Sequence, residues 1–407
     1  MLLSLSWRSL WRHRRRTLLT ASSIGLSLAL TVFFVALSDG FYGNLVQGVV
    51  RLEAGNLSVE RPDYHDAPEA GLVVDGVPAL RARLAAIPGV VGTKALVLAD
   101  GVASGSSGGA AVRIVGVEPA VERAISPIAR KLVAGAYLGA AGGRDVIVGA
   151  ALARRLSLKV GARLVLTTGA ASGDLAEQLF RVGGIFRTGS EELDGHLVQV
   201  PIDAARALLG LRPEQATRVG VLLADGHPEA AARAAVAAVA GAGLAVRTWQ
   251  EVLPDLAAFI RVDTASNYGL DTMLLLLAGF TIFNTLLMSV LERRREFGVM
   301  MALGTTPRRV QAQVLVESAL LAILACALGL LVGGGAAVLG GWLGIDVRSF
   351  ASSGLDVGGF AIDPILRPHL SAALALGLTT TVLVAVVLMA LVPIRSIPRI
   401  QPTEAMR

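Results

Sequence analysis

The sequence predicts a membrane α-helical protein with four transmembrane helices and a large α+β extracytoplasmic domain inserted between helices 1 and 2. Three observations support this fold class. Of the 407 residues, 54% are hydrophobic, which is more than a soluble protein of this size usually carries. Four apolar stretches are long enough to cross a bilayer, which takes about 20 helical residues. The segment between the first two stretches alternates strand and helix patterns.

The four apolar stretches are Leu18–Leu37, Thr272–Leu291, Val314–Ile345 and Ser371–Ile394. They divide the chain into an amphipathic interfacial helix at 1–16, a first transmembrane helix at 17–38, the α+β domain at 39–265, a stalk end and second transmembrane helix at 266–291, a cytoplasmic loop at 292–313, a third transmembrane helix at 314–345, a short outer loop at 346–369, a fourth transmembrane helix at 370–394 and a cytoplasmic tail at 395–407. An uncleaved anchor is favoured over a cleaved signal peptide, because the first stretch is long and no small-x-small site lies near Asp39.

Basic residues beside the apolar stretches predict the orientation. The chain has a net charge of +6, but residues 39–263 are nearly neutral, with 22 Lys+Arg and 23 Asp+Glu. Thirteen of the other arginines flank the stretches: Arg8, Arg12, Arg14, Arg15, Arg16, Arg293, Arg294, Arg295, Arg308, Arg309, Arg395, Arg399 and Arg407. The positive-inside rule therefore places both termini and the loop at 292–313 in the cytoplasm. This pattern predicts a bilayer, and not a nucleic acid, as the partner of the basic charge.

The N-terminal residues predict a helix in the headgroup layer. Leu3, Trp7, Leu10 and Trp11 recur at helical spacing, with arginines on the other side. Such a helix places tryptophans at the interface and arginines on lipid phosphates, and the alternative is a simple cytoplasmic lead-in. The predicted membrane-interface residues are Trp7, Trp11, Arg12, Arg14, Arg15 and Arg16.

The extracytoplasmic segment predicts nine short strands: Asn56–Val59, Lys94–Ala99, Ala111–Val117, Asp145–Val148, Arg163–Thr168, Phe180–Phe186, Leu197–Val200, Arg218–Leu223 and Leu244–Arg247. Helices are expected at Val77–Ile87, Ala150–Leu156, Ala204–Leu209 and from Pro228 to Ala240. The glycine-serine stretch Gly101–Gly109 predicts a flexible insertion between two strands. A last helix from about Trp249 is expected to run through Ile260 into the second span as a stiff rod.

Motifs for catalysis and metal binding are weak or missing. No GxxxxGK[ST] loop occurs, so the chain itself is not expected to bind ATP. The segment Gly105–Gly109 matches GxSxG, but that motif needs a strand before it and a helix after it. The histidines lack ligand spacing. The sequence therefore predicts no catalytic residue, no metal site and no cofactor held by this chain.

Glycines in the third apolar stretch predict close helix packing. Gly329, Gly333 and Gly334 include small-xxx-small spacing, which lets helix backbones approach closely. The packing could lie within one subunit or between two subunits, and the sequence does not separate these alternatives.

The loop LERRREFGVMMALGTTPRRVQAQVLVESALL, residues 291–321, is the most informative segment. Phe297, Met300, Met301 and Leu303 form an apolar face, Gly304 is expected to end a helix, and Thr306-Pro307 to begin the next. A short helix across the cytoplasmic mouth suits docking into a groove of another protein. The alternative is a helix bound to lipid.

The segment ERRREFGVMMALGTTPRRV…ES closely resembles the coupling-helix signature of the FtsX/MacB-type (type VII) ABC permeases, and the ends SWRSLWRHRRRT and PIRSIPRIQPTEAMR resemble those of the same superfamily. VIVGAALARRLSLKVGARL, residues 146–164, is shared widely in it. RVGGIFRTGSEELDGHLVQVPIDAARALL, residues 181–209, and VRTWQEVLPDL, residues 246–256, resemble the LolC/LolE lipoprotein-releasing branch.

The resemblance implies a permease in the inner membrane, with its large domain in the periplasm, that pairs with a second permease and with two copies of a separate ABC ATPase, which binds the ATP-Mg. The second permease is either identical or LolC-like. The implied ATPase-coupling residues are Glu292, Arg293, Arg294, Arg295, Glu296, Phe297, Met300, Met301, Gly304, Arg308 and Arg309.

The resemblance favours extraction of lipoproteins from the inner membrane toward a periplasmic carrier. The alternatives are MacB-like efflux of drugs or peptides and FtsX-like signalling to a cell-wall hydrolase. One departure concerns the carrier, which is a further candidate partner: LolC-type subunits recruit it with a proline-containing hook, whereas Thr167–Gln178 here is short and lacks proline. A LolE-like partner, a homodimer and a relative with another cargo therefore all stay open.

Overall fold

A computed structural model describes residues 2–12, 14–52, 55–139, 143–346, 356–357, 360–361 and 365–394. The chain divides into two compact units. The first, here called the helical unit, comprises Met1–Tyr42, Val262–Val347 and Ile365–Arg407. The second, the α/β unit, comprises Gly43–Arg261 and Arg348–Pro364.

The α-helices are α1 (Leu2–Arg12), α2 (Arg14–Leu52), α3 (Val77–Ala85), α4 (Pro119–Ile125), α5 (Ala150–Arg155), α6 (Glu191–His196), α7 (Ile202–Leu209), α8 (Glu229–Ala240), α9 (Trp249–Val252), α10 (Pro254–Glu292), α11 (Arg294–Ala302), α12 (Pro307–Gly329), α13 (Gly335–Leu343) and α14 (Ala372–Ile394). The strands are β1 (Leu57–Glu60), β2 (Val90–Gly105), β3 (Gly108–Val117), β4 (Leu132–Gly135), β5 (Asp145–Gly149), β6 (Arg163–Gly169), β7 (Leu175–Phe186), β8 (Leu197–Pro201), β9 (Arg218–Leu223), β10 (Ala245–Thr248), β11 (Ile345–Asp346), β12 (Asp356–Val357), β13 (Phe360–Ala361) and β14 (Ile365–Leu366).

Three stretches of the described helices are long and apolar enough to cross a membrane: Thr17–Gly48, Pro307–Leu343 and Ala372–Leu391. They correspond to the first, third and fourth predicted spans. The second predicted span, Thr272–Leu291, lies within the continuous helix α10, where several side chains are outside the described part of the chain. The count of four transmembrane helices therefore stays a prediction. The predicted tail at 395–407 lies outside the described residues.

The stretch Pro307–Leu343, which corresponds to the third predicted span, is not a uniform α-helix. A single π-helical turn at Leu330–Gly334 joins α12 to α13. π-turns inside α-helices are rare, and they shift the side chains beyond them around the helix axis. The glycine-rich sequence tolerates this change because few side chains have to be repositioned.

The α/β unit is built on a mixed sheet with the strand order β10-β1-β9-β2-β3-β8-β5-β7-β4, and β6 pairs with both β2 and β7. The pairs β3–β8 and β5–β7 are parallel, while the other pairs in this sheet are antiparallel. Parallel neighbours need crossover connections, which here bring helices between strands. The domain therefore combines α-helices with a mixed, mainly antiparallel sheet, in agreement with the predicted domain of helices and strands.

Six of these strands close into a ring. The second half of β2 pairs with β3 on one edge and with β6 on the other. The pairs β3–β8, β8–β5, β5–β7 and β7–β6 complete the circuit. A Cβ at Gly101 of β2 would collide with the carbonyl oxygen of Thr167 in β6. The missing side chain therefore allows the two strands that close the ring to pair.

All nine predicted strands are present, with ends that differ by a few residues. The short edge strand β4 was not predicted. The flexible insertion at Gly101–Gly109 is wrong: these residues form the ends of β2 and β3, and Ser106-Ser107 is the hairpin turn between them. The helix expected from Trp249 is interrupted at Leu253, after which α10 runs without a break from Pro254.

The core of the α/β unit holds ionisable side chains as well as apolar ones. Val59, Val148 and Val221 are fully buried on central strands. Nearby, the Nζ of Lys94 lies 3.9 Å from an Oε of Glu122, and the two side chains are 1% and 2% exposed. Buried charges of this kind are costly without a partner.

Candidate functional site

The short helix α11 lies between two long helices. Arg293 forms the turn after α10, and Thr306, in an extended conformation, precedes α12, which has Pro307 in its first turn. Gly304 has φ of +94°. The amide of Thr305 donates to the carbonyl of Met300 at 3.0 Å, which is the bond pattern of a helix stopped by a left-handed glycine. The helix therefore ends, and the next one begins, where the sequence predicted.

Arg293 links the start of α11 to α12 through ion pairs. One guanidinium nitrogen lies 2.8 Å from a carboxylate oxygen of Glu317, and another lies 3.1 Å from Glu296. The guanidinium also lies over the ring of Phe297, 5.2 Å from its centre. Burial alone would lower the pKa of Arg293, but the two carboxylates raise it, so the group stays charged. Displacement of α11 is thereby linked to α12.

Phe297 does not contribute to an exposed docking face. It is 1% exposed and packs against Val290, Val310, Val314 and Ala390. Met300 and Met301 pack partly against the same cluster. The predicted apolar face is therefore wrong for Phe297, because this ring fills the space between the flanking helices. The part of Phe297 in coupling stays a prediction, and it would act by positioning α11.

The exposed residues of α11 and its flanking turns include both apolar and charged side chains. Val299 is 41% exposed and Leu303 is 81% exposed. The predicted coupling residues that are also exposed are Glu292, Arg294, Arg295, Glu296, Gly304, Arg308 and Arg309. We call Val299, Leu303 and these charged side chains the loop surface. Val299 was missed, although its position four residues before Leu303 places both on one helix face.

The N-terminal helix α1 packs on α12 of the same unit. Leu10 is buried, and the Ser6 hydroxyl donates to the carbonyl of Gln313 at 3.4 Å. Trp7 and Trp11 are on the open side, with ring centres 5.9 Å apart. The arginines Arg8, Arg12, Arg14 and Arg15 are exposed, while the side chain of Arg16 lies outside the described part of the chain. Contact of this face with lipid stays a prediction.

The glycines of the third stretch face the first stretch of the same chain. A Cβ at Gly329 would lie 2.8 Å from the Cβ of Leu28, and one at Gly333 would lie 2.6 Å from the Cα of Ala29. Gly334 faces Leu370, at 3.6 Å. Of the two alternatives that the sequence left open, this geometry favours packing within one subunit for Gly329 and Gly333.

Comparison with known proteins identifies the family of the chain, which the geometry of the loop surface alone does not. Two family models match: the MacB-like periplasmic core domain over residues 17–239, and the FtsX-like permease C-terminal region over residues 271–402. Together they cover both units. The chain is a membrane permease of the ABC transporter class. It belongs to the family with a MacB-like periplasmic core domain and an FtsX-like C-terminal region, the MacB/FtsX/LolC type.

Two relatives illustrate the range of similarity. The chain is 26% identical over 336 residues to the lipoprotein-releasing system transmembrane protein LolC of Neisseria meningitidis serogroup B, which covers 79% of this chain and 76% of that protein. It is 33% identical over 102 residues to the macrolide export ATP-binding/permease protein MacB of Brucella abortus, covering 25% of this chain and 16% of that protein. Permeases of this type are inner-membrane proteins that work with ATPase partners, where the catalysis takes place.

A solved structure is also similar. The periplasmic region of MacB from Actinobacillus actinomycetemcomitans matches 51% of this chain and 97% of its own, with a TM-score of 0.36 and 9% identity.

Proposed function

We propose that this chain is the permease subunit of a transporter that extracts lipoproteins from the inner membrane toward a periplasmic carrier. The observation that carries the proposal is the match to a lipoprotein-releasing LolC protein over 79% of the chain. That match is longer than the one to the macrolide exporter.

Two copies of a separate ABC ATPase would supply the energy, and they would contact the loop surface on the cytoplasmic side. The proposal is supported by the chemistry of this surface. Val299 and Leu303 offer exposed apolar area, and the same segment carries four exposed arginines and the two exposed glutamates Glu292 and Glu296. Apolar anchors beside exposed charges of both signs suit a groove whose edges carry complementary charges.

Movement would pass from the loop surface to the α/β unit through continuous helix. Helix α10 extends from Pro254 to Glu292 and ends one residue before α11. An unbroken helix transmits displacement because each backbone amide is bonded to the turn before it. In this mechanism the chain carries out no chemistry, and the large domain, on the periplasmic side, moves a cargo that never crosses the bilayer.

Depletion of the chain in its native cells tests this function. We expect lipoproteins destined for other sites to accumulate in the inner membrane, and affinity purification in mild detergent to recover an ATPase with a Walker motif. Normal lipoprotein distribution after depletion would exclude this cargo.

The match to a macrolide exporter supports a second candidate, efflux of drugs or peptides. That function would instead appear as drug sensitivity after depletion, with lipoproteins correctly placed. Recovery of one permease sequence or of two in the purified complex distinguishes a homodimer from a pair with a LolC-like partner.

A further inference from the structure

A cavity of about 380 Å³ opens on the α/β unit, away from the loop surface in sequence. Its apolar lining, which we call the floor, is formed by Val133, Ala150, Ala153, Leu158 and Ile185, of which Val133 is exposed. Cavities of this size are within the usual range for small-molecule sites. Nothing in the proposed transport mechanism uses it.

Two local features of the fold shape this cavity. Strand β4 pairs with the end of β7, where Ala134 lies opposite Ile185 and Val133 falls at an irregularity in the register between Leu132 and Ala134. On the opposite wall, α5 ends in a tight reversal, in which Ser157 has φ of 53° and the amide of Leu158 donates to the carbonyl of Ala153 at 2.8 Å. This reversal directs Leu158 into the core and brings Lys159 to the rim.

The rim is basic. Arg154, Lys159 and Arg187 line the cavity and are exposed, and none of the described residues that line it is acidic. Arg154 is partly neutralised, because one of its nitrogens lies 2.9 Å from Glu191 just outside the cavity. That ion pair is open to water and is therefore weak. Lys159 and Arg187 remain to attract an anion.

From this combination we infer that the cavity binds a single-chain amphiphile with an anionic head group, such as an alkyl phosphate. The alkyl chain would cover the apolar floor, and the head group would lie between Lys159 and Arg187. An extended acidic peptide fits less well, because its backbone amides and carbonyls need polar partners. Ser157 is the one uncharged polar side chain in the described lining. The inference is independent of the proposed function, since neither an ATPase nor a lipoprotein enters it.

Photolabelling of the full chain in nanodiscs of zwitterionic phosphatidylcholine tests the inference. The probe is a dodecyl phosphate that carries a diazirine on its chain, and its uncharged counterpart is the matching dodecyl alcohol. We expect the phosphate probe to label residues of α5, β4 or the end of β7, as located by mass spectrometry. Inorganic phosphate at equal concentration should not compete, because it lacks the chain.

Two pairs of variants separate the head group from the chain. The double substitution Lys159→Glu/Arg187→Glu should reduce labelling about fivefold, since each exposed charge contact contributes modestly. The control Arg61→Glu/Arg83→Glu reverses two other exposed charges of the same unit and should leave labelling unchanged. Val133→Asp should also reduce labelling, whereas Val91→Asp, at another exposed valine, should not.

Four outcomes would overturn the inference. Equal labelling of the cavity by the uncharged probe would show that the rim does not select an anion. Competition by inorganic phosphate would show an anion site without a place for the chain. Displacement of the probe by an acidic peptide at lower concentration would assign the cavity to a peptide. Unchanged labelling in both test variants would place the site elsewhere.

Discussion

Lys94 and Glu122 lie 3.9 Å apart as a buried pair within the α/β unit, which the sequence pattern did not predict. Burial raises the pKa of Glu122, although Lys94 and the hydroxyl of Ser126 both lower it. The folded domain therefore holds the Glu122 proton more tightly than the unfolded chain does. Stability from this group is complete below the unfolded pKa and is lost as the pH rises through the folded pKa.

Because folding raises the pKa of Glu122, we expect the stability of the α/β unit to depend on pH. Between the unfolded pKa of a glutamate, about 4.3, and the raised value, the thermal transition of the α/β unit should shift downward as the pH rises. Glu122→Gln cannot titrate and should flatten the dependence. Circular dichroism of the full chain in nanodiscs, from weakly acidic to neutral pH, measures the transition.

Glu191→Gln serves as the control, because the Glu191 side chain is 84% exposed. It should keep the slope of the parent protein. A slope that survives in Glu122→Gln would assign the pH dependence to another buried group.

At the scale of elements, the contact between α2 and the π-helical turn at Leu330–Gly334 depends on the absence of a side chain. The backbone of Ala29 occupies the space that a side chain at Gly333 would need. In contrast, a Cβ at Gly335, two residues further on, would meet nothing within 4 Å. The two positions thus differ in their surroundings while they share the same stretch of helix.

We therefore expect opposite effects of alanine at these two glycines. Gly333→Ala should destabilise the helical unit by about 1–3 kcal/mol, because the helices must separate or distort. Gly335→Ala should be neutral or stabilising by up to about 1 kcal/mol, because alanine favours helix. Thermal unfolding in nanodiscs compares them. Equal destabilisation by both would mean that the close approach of Ala29 is not the cause.

The elements that the sequence predicted well are those with a local signal. Strands of β-branched residues and helices bounded by glycine or proline were found nearly in place. The hairpin at Ser106-Ser107 was misread, because glycines that allow close strand pairing look the same as glycines of a flexible loop. Phe297 was misread because its amphipathic pattern does not say whether the apolar face meets the chain's own helices or a partner. Long-range packing decides both cases.

At the scale of the molecule, α2 and α10 each continue from one unit into the other. Between them, the chain of the α/β unit forms its own sheet and core. Under the proposed function, binding of the ATPase to the loop surface must therefore change the conformation of the α/β unit through these helices. The charged rim of the loop surface is the place to interrupt that connection without disturbing either core.

Reversal of two exposed charges tests the connection. Arg308→Glu/Arg309→Glu should weaken binding of the ATPase by about tenfold, which corresponds to about 1.4 kcal/mol for the two charges. It should also uncouple ATP hydrolysis from conformational change in the α/β unit, with the melting temperature unchanged. Affinity measurement and spin-label distances within the α/β unit, with and without ATP, provide the readouts.

The same double reversal at Arg61 and Arg83, in the α/β unit, should leave both the affinity and the coupling intact. Full coupling in Arg308→Glu/Arg309→Glu would place the ATPase contact on another part of the chain.

The first and last strands of the large sheet in the α/β unit are neighbours. Leu57 of β1 lies directly opposite Thr248 of β10, and the amide of Trp249 donates to the carbonyl of Asn56 at 3.2 Å. A domain whose ends meet in this way can be inserted into, or removed from, a host chain with little disturbance of the host. The segment between residues 56 and 249 could therefore be exchanged in evolution while the helical unit is kept. The same membrane helices would then serve transporters for different cargoes.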